Sequence, residues 1–170
     1  MARENSWPLQ TALLILLLCR PATVFAQASP VVALRVSGEV PNHLDLSLAD
    51  LAAFQRQMIR VTDDKGTQAE YGGVPVEEIL KKAGAPLDKE LKGPNMAVGI
   101  VASAPDGYRV LFSLAEFDPA FSDRVILLAD RRDGRPLDSR EGPLRLIVTG
   151  DKRHARWIRG VTTLEVLRVR

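Results

Sequence analysis

Residues 125–166 read VILLADRRDGRPLDSREGPLRLIVTGDKRHARWIRGVTTLEV. Val125–Asp130 is an apolar run that stops at the charged turn DRRDG, and PLRLIVTG (143–150) and VTTLEVLRV (161–169) are two more apolar or β-branched runs. Runs this short, bounded by Gly, Pro and Asp, read as strands rather than core helices. RHARWIRG (153–160) separates the last two and carries Trp157 between Arg156 and Arg159.

Working outward, VVALRVSGEV (31–40) alternates as a first strand closed by Gly38 and Pro41. In LDLSLADLAAF (44–54), Ser47 is placed as an N-cap with Asp50 three residues on, and Leu48, Leu51 and Phe54 follow helical spacing. Met58–Thr62 reads as a strand running into the turn DDKG. VPVEEILKKAG (74–84) predicts a second helix, with Pro75 in its first turn, Val76, Ile79, Leu80 and Ala83 facing inward, and Gly84 as C-cap. Met96–Ser103 and Tyr108–Phe112 form a hairpin around APDG, and a third helix is expected from Ser113. Helices spread irregularly among strands predict a single α/β or α+β domain with a mixed sheet.

The N-terminal 28 residues read as a secretory leader: Arg3 near the start, an apolar stretch from Ala12 to Leu18, and small residues at Ala26 and Ala28 before Ser29. The stretch is too short to cross a bilayer stably, so a periplasmic domain over residues 29–170 is expected, not itself membrane-spanning. The chain's one cysteine, Cys19, lies inside that leader. A mature chain without it has no disulfide, no thiol nucleophile and no thiolate ligand for a metal.

The formal charge of +2 and the interleaving of acids and bases argue against a nucleic-acid partner. Arginine becomes denser from Arg131 onward, either as a solvated face or as the rim of a site for an anionic or strongly hydrogen-bonding ligand. His43 and His154 are the two histidines and no pair stands at ligand spacing, so no metal site is expected. No nucleophile elbow or phosphate loop occurs, and no catalytic residue is assigned. Gly72-Gly73 allows either close approach of a ligand to the backbone or a tight strand-to-helix turn. Trp157 is either a stacking surface for a planar ring or a core residue flanked by solvated arginines.

The pieces SGEVPN, LSLADL, YGGVPVEEILKKAG, DGYRVLFSLAEF and residues 125–166, in this order and spacing, resemble the molybdopterin-binding domain of the sulfite oxidase family. The resemblance implies that family's mixed-sheet fold around a pyranopterin-dithiolene molybdenum cofactor. It also implies a metal-ligating cysteine just before the Tyr-Gly-Gly-Val segment, where RQMIRVTDDKGTQAEYGG (56–73) has none. The chain thus looks like small standalone secreted relatives that lack the thiolate, some of which look like periplasmic pterin-binding proteins reporting to a membrane signalling protein. Carried over residue by residue, Tyr71 and Gly73 are expected at the pocket entrance. Arg145, Lys152, Arg153, Arg156 and Trp157 are expected along the segment that meets the pterin and phosphate, with Asp64 or Asp151 accepting from a pterin amino group. Val148-Thr149-Gly150 stands where the family has Val-Pro-Gly. The implied function is non-catalytic binding of a pterin-like ligand, the alternatives being a molybdopterin-dependent oxidoreductase, or accessory component of one, and a purely protein-interaction domain.

Overall fold

The computed structural model describes residues 31–62 and 66–169. The leader, most of the DDKG turn and the candidate Asp64 lie outside the described residues.

Among the described residues ten strands and two α-helices follow in order: β1 (Leu34–Gly38), β2 (Leu44–Leu46), α1 (Leu48–Ala52), β3 (Gln57–Thr62), β4 (Gln68–Pro75), α2 (Val76–Ala83), β5 (Val98–Ser103), β6 (Arg109–Ser113), β7 (Ile126–Arg132), β8 (Arg135–Pro136), β9 (Arg145–Val148) and β10 (Thr163–Arg168). One sheet has the order β2-β1-β10-β5-β6, with β1 and β10 parallel and the other neighbours antiparallel. The second runs β3-β4-β7, all antiparallel, and both β8 and β9 pair with β7. This is the mixed, single-domain architecture the sequence predicts.

The apolar runs explain themselves at this level. All four residues of β9 and the first four of β7 are buried, so these strands are covered on both faces and need no alternation. β5 and β6 reproduce the expected hairpin; in β6 Val110 and Phe112 point inward while Arg109, Leu111 and Ser113 are exposed.

Helix α1 carries the predicted cap. The Ser47 hydroxyl accepts from the Asp50 amide at 3.1 Å, and the Asp50 carboxylate accepts from the Ser47 amide at 2.8 Å. Helix α2 buries Val76, Ile79, Leu80 and Ala83 at i, i+3, i+4 and i+7 and packs against β4 and β7. Burying each of Ile79 and Leu80 is worth about 1.5–3 kcal/mol. Gly84 ends the helix with φ of 80°, a left-handed C-cap that favours glycine.

Two segments differ from the sequence reading. The third helix from Ser113 is a single 3-10 turn, Leu114–Phe117, held by a capping box between Ser113 and Glu116. The chain cannot extend it past Asp118, since Pro119 disfavours helical geometry in the residue before it. The second difference is β4, which the sequence does not announce. Its Gly72-Gly73 lies inside the strand at a register shift rather than in a turn before the helix. A Cβ at Gly73 would lie 2.1 Å from the Leu128 carbonyl oxygen and 2.6 Å from Ala129 Cα, so glycine here is a condition for β4 to meet β7.

Candidate functional site

The residues that converge come from β4, β9 and the segment after β9. Beyond Val148 the chain makes a single 3-10 turn, His154–Arg156, and folds back so that Leu146 N donates to the Ile158 carbonyl at 2.9 Å. That return brings Trp157 beside β9, where its indole Nε1 donates to the Val148 carbonyl at 2.9 Å.

Arg145, the first residue of β9, lies beneath this segment with only 6% of its surface exposed. Its guanidinium carbon is 5.7 Å from the ring centres of both Tyr71 and Trp157. Nη1 donates to Glu141 at 2.6 Å and to the Tyr71 hydroxyl at 3.2 Å. Nε is buried and has no hydrogen-bond partner, an uncommon condition for a charged group. Tyr71 meets Trp157 edge to face with centroids 6.2 Å apart, and Arg132 covers the Tyr71 ring at 5.6 Å. On the outer side His154 stacks on Trp157 at 3.7 Å and 16° between planes. Alternating rings and guanidinia thus run from β7 to the surface.

A cavity of about 280 Å³ opens at the outer end of this column, lined by Asp106, Tyr108, Arg145, His154, Trp157 and Arg159 among others. The β5–β6 turn forms its far wall. Tyr108 donates its hydroxyl to the Ala155 carbonyl at 2.8 Å, tying that turn to the segment after β9. Asp106 Oδ1 accepts from the Tyr108 amide at 2.9 Å, an Asx turn that fixes the carboxylate.

Of the residues singled out from sequence, the structure brings Arg145 and Trp157 to this cavity. Tyr71 is fully buried behind Arg145 rather than at an entrance, and Gly73 is buried in the β4–β7 contact. Trp157 is 5% exposed, with one ring face covered by His154. Arg156 and Asp151 bind each other: Nε to Oδ2 at 2.9 Å and Nη2 to Oδ1 at 2.7 Å. Arg156 also donates to Glu116 at 2.6 Å, and Arg124 approaches Asp151 at 3.2 Å and Glu116 at 3.7 Å. The hydrogen bonds that Arg156 donates to Asp151, reinforced by Glu116, raise its guanidinium above the usual range against the opposing effect of burial. These four charges brace the segment after β9 and are engaged with one another, not turned to the cavity. Lys152 and Arg153 are exposed at its surface.

Sequence reasoning missed Asp106, Tyr108 and Glu141, and it named Arg159 only as a neighbour of Trp157 and His154 only as a metal-ligand candidate. Only the tertiary fold places the β5–β6 turn against residues 154–159, although an aspartate at a hairpin tip with a tyrosine two residues on is a pattern worth testing in such a search. A larger depression, about 540 Å³, lies between the start of α2 and residues 117–126. None of the site candidates read from sequence lines it, and its two arginines point elsewhere, Arg56 to Asp130 and Arg124 to Asp151.

Among the described residues, no group of three His, Cys, Asp or Glu side chains converges as a metal site, and no helix is long and apolar enough to cross a membrane.

Comparison with known proteins agrees with this architecture. No curated protein matches the sequence significantly. The structure is similar to the crystal structure of the sulfane dehydrogenase SoxCD from Paracoccus pantotrophus, with a TM-score of 0.60 and 21% identity over 78% of this chain. The chain spans 37% of that one, so the likeness is one of fold. Residues 26–169 match the family described as the oxidoreductase molybdopterin binding domain. With a match over most of its length and the fold to go with it, the chain belongs to the oxidoreductase molybdopterin binding domain family.

Proposed function

We propose that this protein is a periplasmic binder of a pterin-like ligand, that it works without catalysis, and that it passes its ligand state to a membrane signalling partner. The observation that carries this reading is the cavity beside the His154–Trp157 stack, backed by an arginine whose buried Nε lacks a partner.

The family name implies molybdopterin, and the two halves of that cofactor fit the residues differently. A family-type metal centre calls for a thiolate, but the described residues include no cysteine and no three-ligand cluster. The donor set does not fit the molybdenum, and no redox step is derived through it. A flat heterocycle does fit. It lies against the His154–Trp157 stack, with guanidinium donors at Arg145 and Arg159 and the Asp106 carboxylate as acceptor. At about 280 Å³ the cavity falls just below the roughly 300–1,000 Å³ typical of drug-sized ligands. A bare bicyclic ring therefore suits it better than a ring extended by a dithiolene and phosphate.

The secretory leader supports the periplasmic assignment. The membrane partner rests on the resemblance to standalone pterin-binding relatives and on the ion-pair brace, which gives the segment after β9 one defined arrangement for a bound ring to disturb.

The test is a titration of the mature chain, in which Trp157 is the only tryptophan, with a reduced pterin. Saturable quenching at unit stoichiometry and micromolar affinity, about −8 kcal/mol, is expected. No response in fluorescence or heat overturns the reading.

A further inference from the structure

Asp106 is the one carboxylate on the wall of the Arg145–Trp157 cavity, and the other charged groups there, Arg145 and Arg159, are cations. Asp151, one of the two acceptors the family resemblance offered, is held by Arg156 and approached by Arg124. Asp106 is differently placed. Its Oδ1 accepts one backbone amide, which leaves a lone pair, and none of the described hydrogen bonds engages its Oδ2. The Asx turn holds the carboxylate still, and the Tyr108–Ala155 bond holds that turn against the far side of the cavity.

A carboxylate presenting two oxygens side by side recognises two parallel N–H donors, as it does in an arginine fork. A 2-amino-4-oxopteridine carries such a pair, its 2-amino group and its N3–H. Its O4 and N5 lie along the neighbouring edge as acceptors suited to guanidinium donors. The cavity has the same polarity, with one anionic acceptor facing a wall of donors.

We infer that Asp106 is the specificity-determining residue of the cavity, selecting rings with an amino group beside a ring N–H and rejecting those with a carbonyl at that position. This rests on the pterin reading of the site. It goes further by naming the residue and the ring edge it reads.

The probes are pterin (2-amino-4-oxopteridine) and lumazine (2,4-dioxopteridine), in which a 2-carbonyl with a proton on N1 replaces the 2-amino group, and the readout is their affinity ratio by titration calorimetry. Wild type should favour pterin by roughly 10- to 100-fold, the range of one charge-assisted hydrogen bond replaced by a carbonyl facing a carboxylate. Asp106→Asn keeps an oxygen for the Tyr108 amide and places an NH2 opposite the ring, so its ratio should fall to near unity or invert towards lumazine. If Asn disturbs the turn, as circular dichroism would show, Asp106→Ser preserves a weaker side-chain turn and should likewise lose the preference. A wild type that binds both rings equally, or a preference unchanged in both variants, overturns the inference and leaves ligand binding standing. A wild type that binds neither overturns both.

Discussion

The Arg145–Glu141 contact makes the sharpest demand on the structure. Arg145 has a side chain 7% exposed, and the one anion against it is Glu141 at 2.6 Å; its other bond is to the neutral Tyr71 hydroxyl. Glu141→Ala would leave the guanidinium between two rings with no countercharge and with Nε already unpartnered. Breaking a buried pair from one side costs about 3–5 kcal/mol. The Glu141 side chain is 18% exposed, so water can enter the space it vacates, and the lower end, about 3 kcal/mol, is expected.

For a domain of this size the entropy of unfolding, about 2.1 cal/mol/K per residue, turns that into a drop of about 10 °C in Tm. Glu141→Gln keeps the acceptor but not the charge and should cost about 1 kcal/mol, the difference between a charged and a neutral hydrogen bond. Arg145→Met is the control. It removes the cation and leaves Glu141 within 3.5 Å of Arg132, so Glu141→Ala in that background should cost much less than alone. Urea unfolding followed by far-ultraviolet circular dichroism measures all four corners of the cycle. A Glu141→Ala cost below about 1 kcal/mol, the range of an exposed pair, would show Arg145 to be hydrated and would refute its buried position at the cavity's inner wall.

Two further predictions concern the frame. Gly73→Ala places a Cβ against the Leu128 carbonyl and should destabilise by more than about 4 kcal/mol, or prevent folding. Gly134→Ala has open space around it and should cost only about 1 kcal/mol for its positive φ; equal effects on the urea midpoint would contradict the strand register. At α1 the Ser47 hydroxyl and then its amide hold the Asp50 carboxyl below its usual range. A depressed folded-state value stabilises above the unfolded value of about 3.9 and loses that contribution as pH falls through the folded one. Asp50→Asn should therefore flatten stability against pH in the acid limb below about pH 4, and Ser47→Ala should cost about 1 kcal/mol at neutral pH. Acid titrations of the urea midpoint check both.

What the sequence disclosed depended on how local each cause was. Helix α2 was legible to within a residue or two because its spacing, its proline and the left-handed Gly84 all act within one short segment. The α1 cap and the β5–β6 hairpin were legible for the same reason. Strand β4 was hidden because its two glycines and proline look like a break. Only the contact with Leu128 shows that the absence of side chains at that point lets the strands meet. The site divided in the same way. Arg145 and Trp157 sit in one segment whose order and spacing carried the family resemblance. Asp106 reaches them only through a contact across the fold, the Tyr108–Ala155 bond between residues 47 apart.

The same distinction alters what the arginine-rich end of the chain means. In sequence, Arg131 to Arg159 reads either as a solvated face or as the rim of a site for an anionic or strongly hydrogen-bonding ligand. In the fold, Arg145 is held by Glu141, Arg156 by Asp151 and Glu116, and Arg132 lies within 3.5 Å of the same Glu141. A cation already matched by a buried or half-buried carboxylate adds little attraction for a phosphate. Arg159 lines the cavity, but Asp106 faces the same space with the opposite charge. A site so nearly neutral favours an uncharged ring read by hydrogen bonds over an anionic cofactor held by charge. Binding there should consequently change little with salt, because screening weakens net Coulombic attraction far more than short hydrogen bonds to a ring that carries no charge.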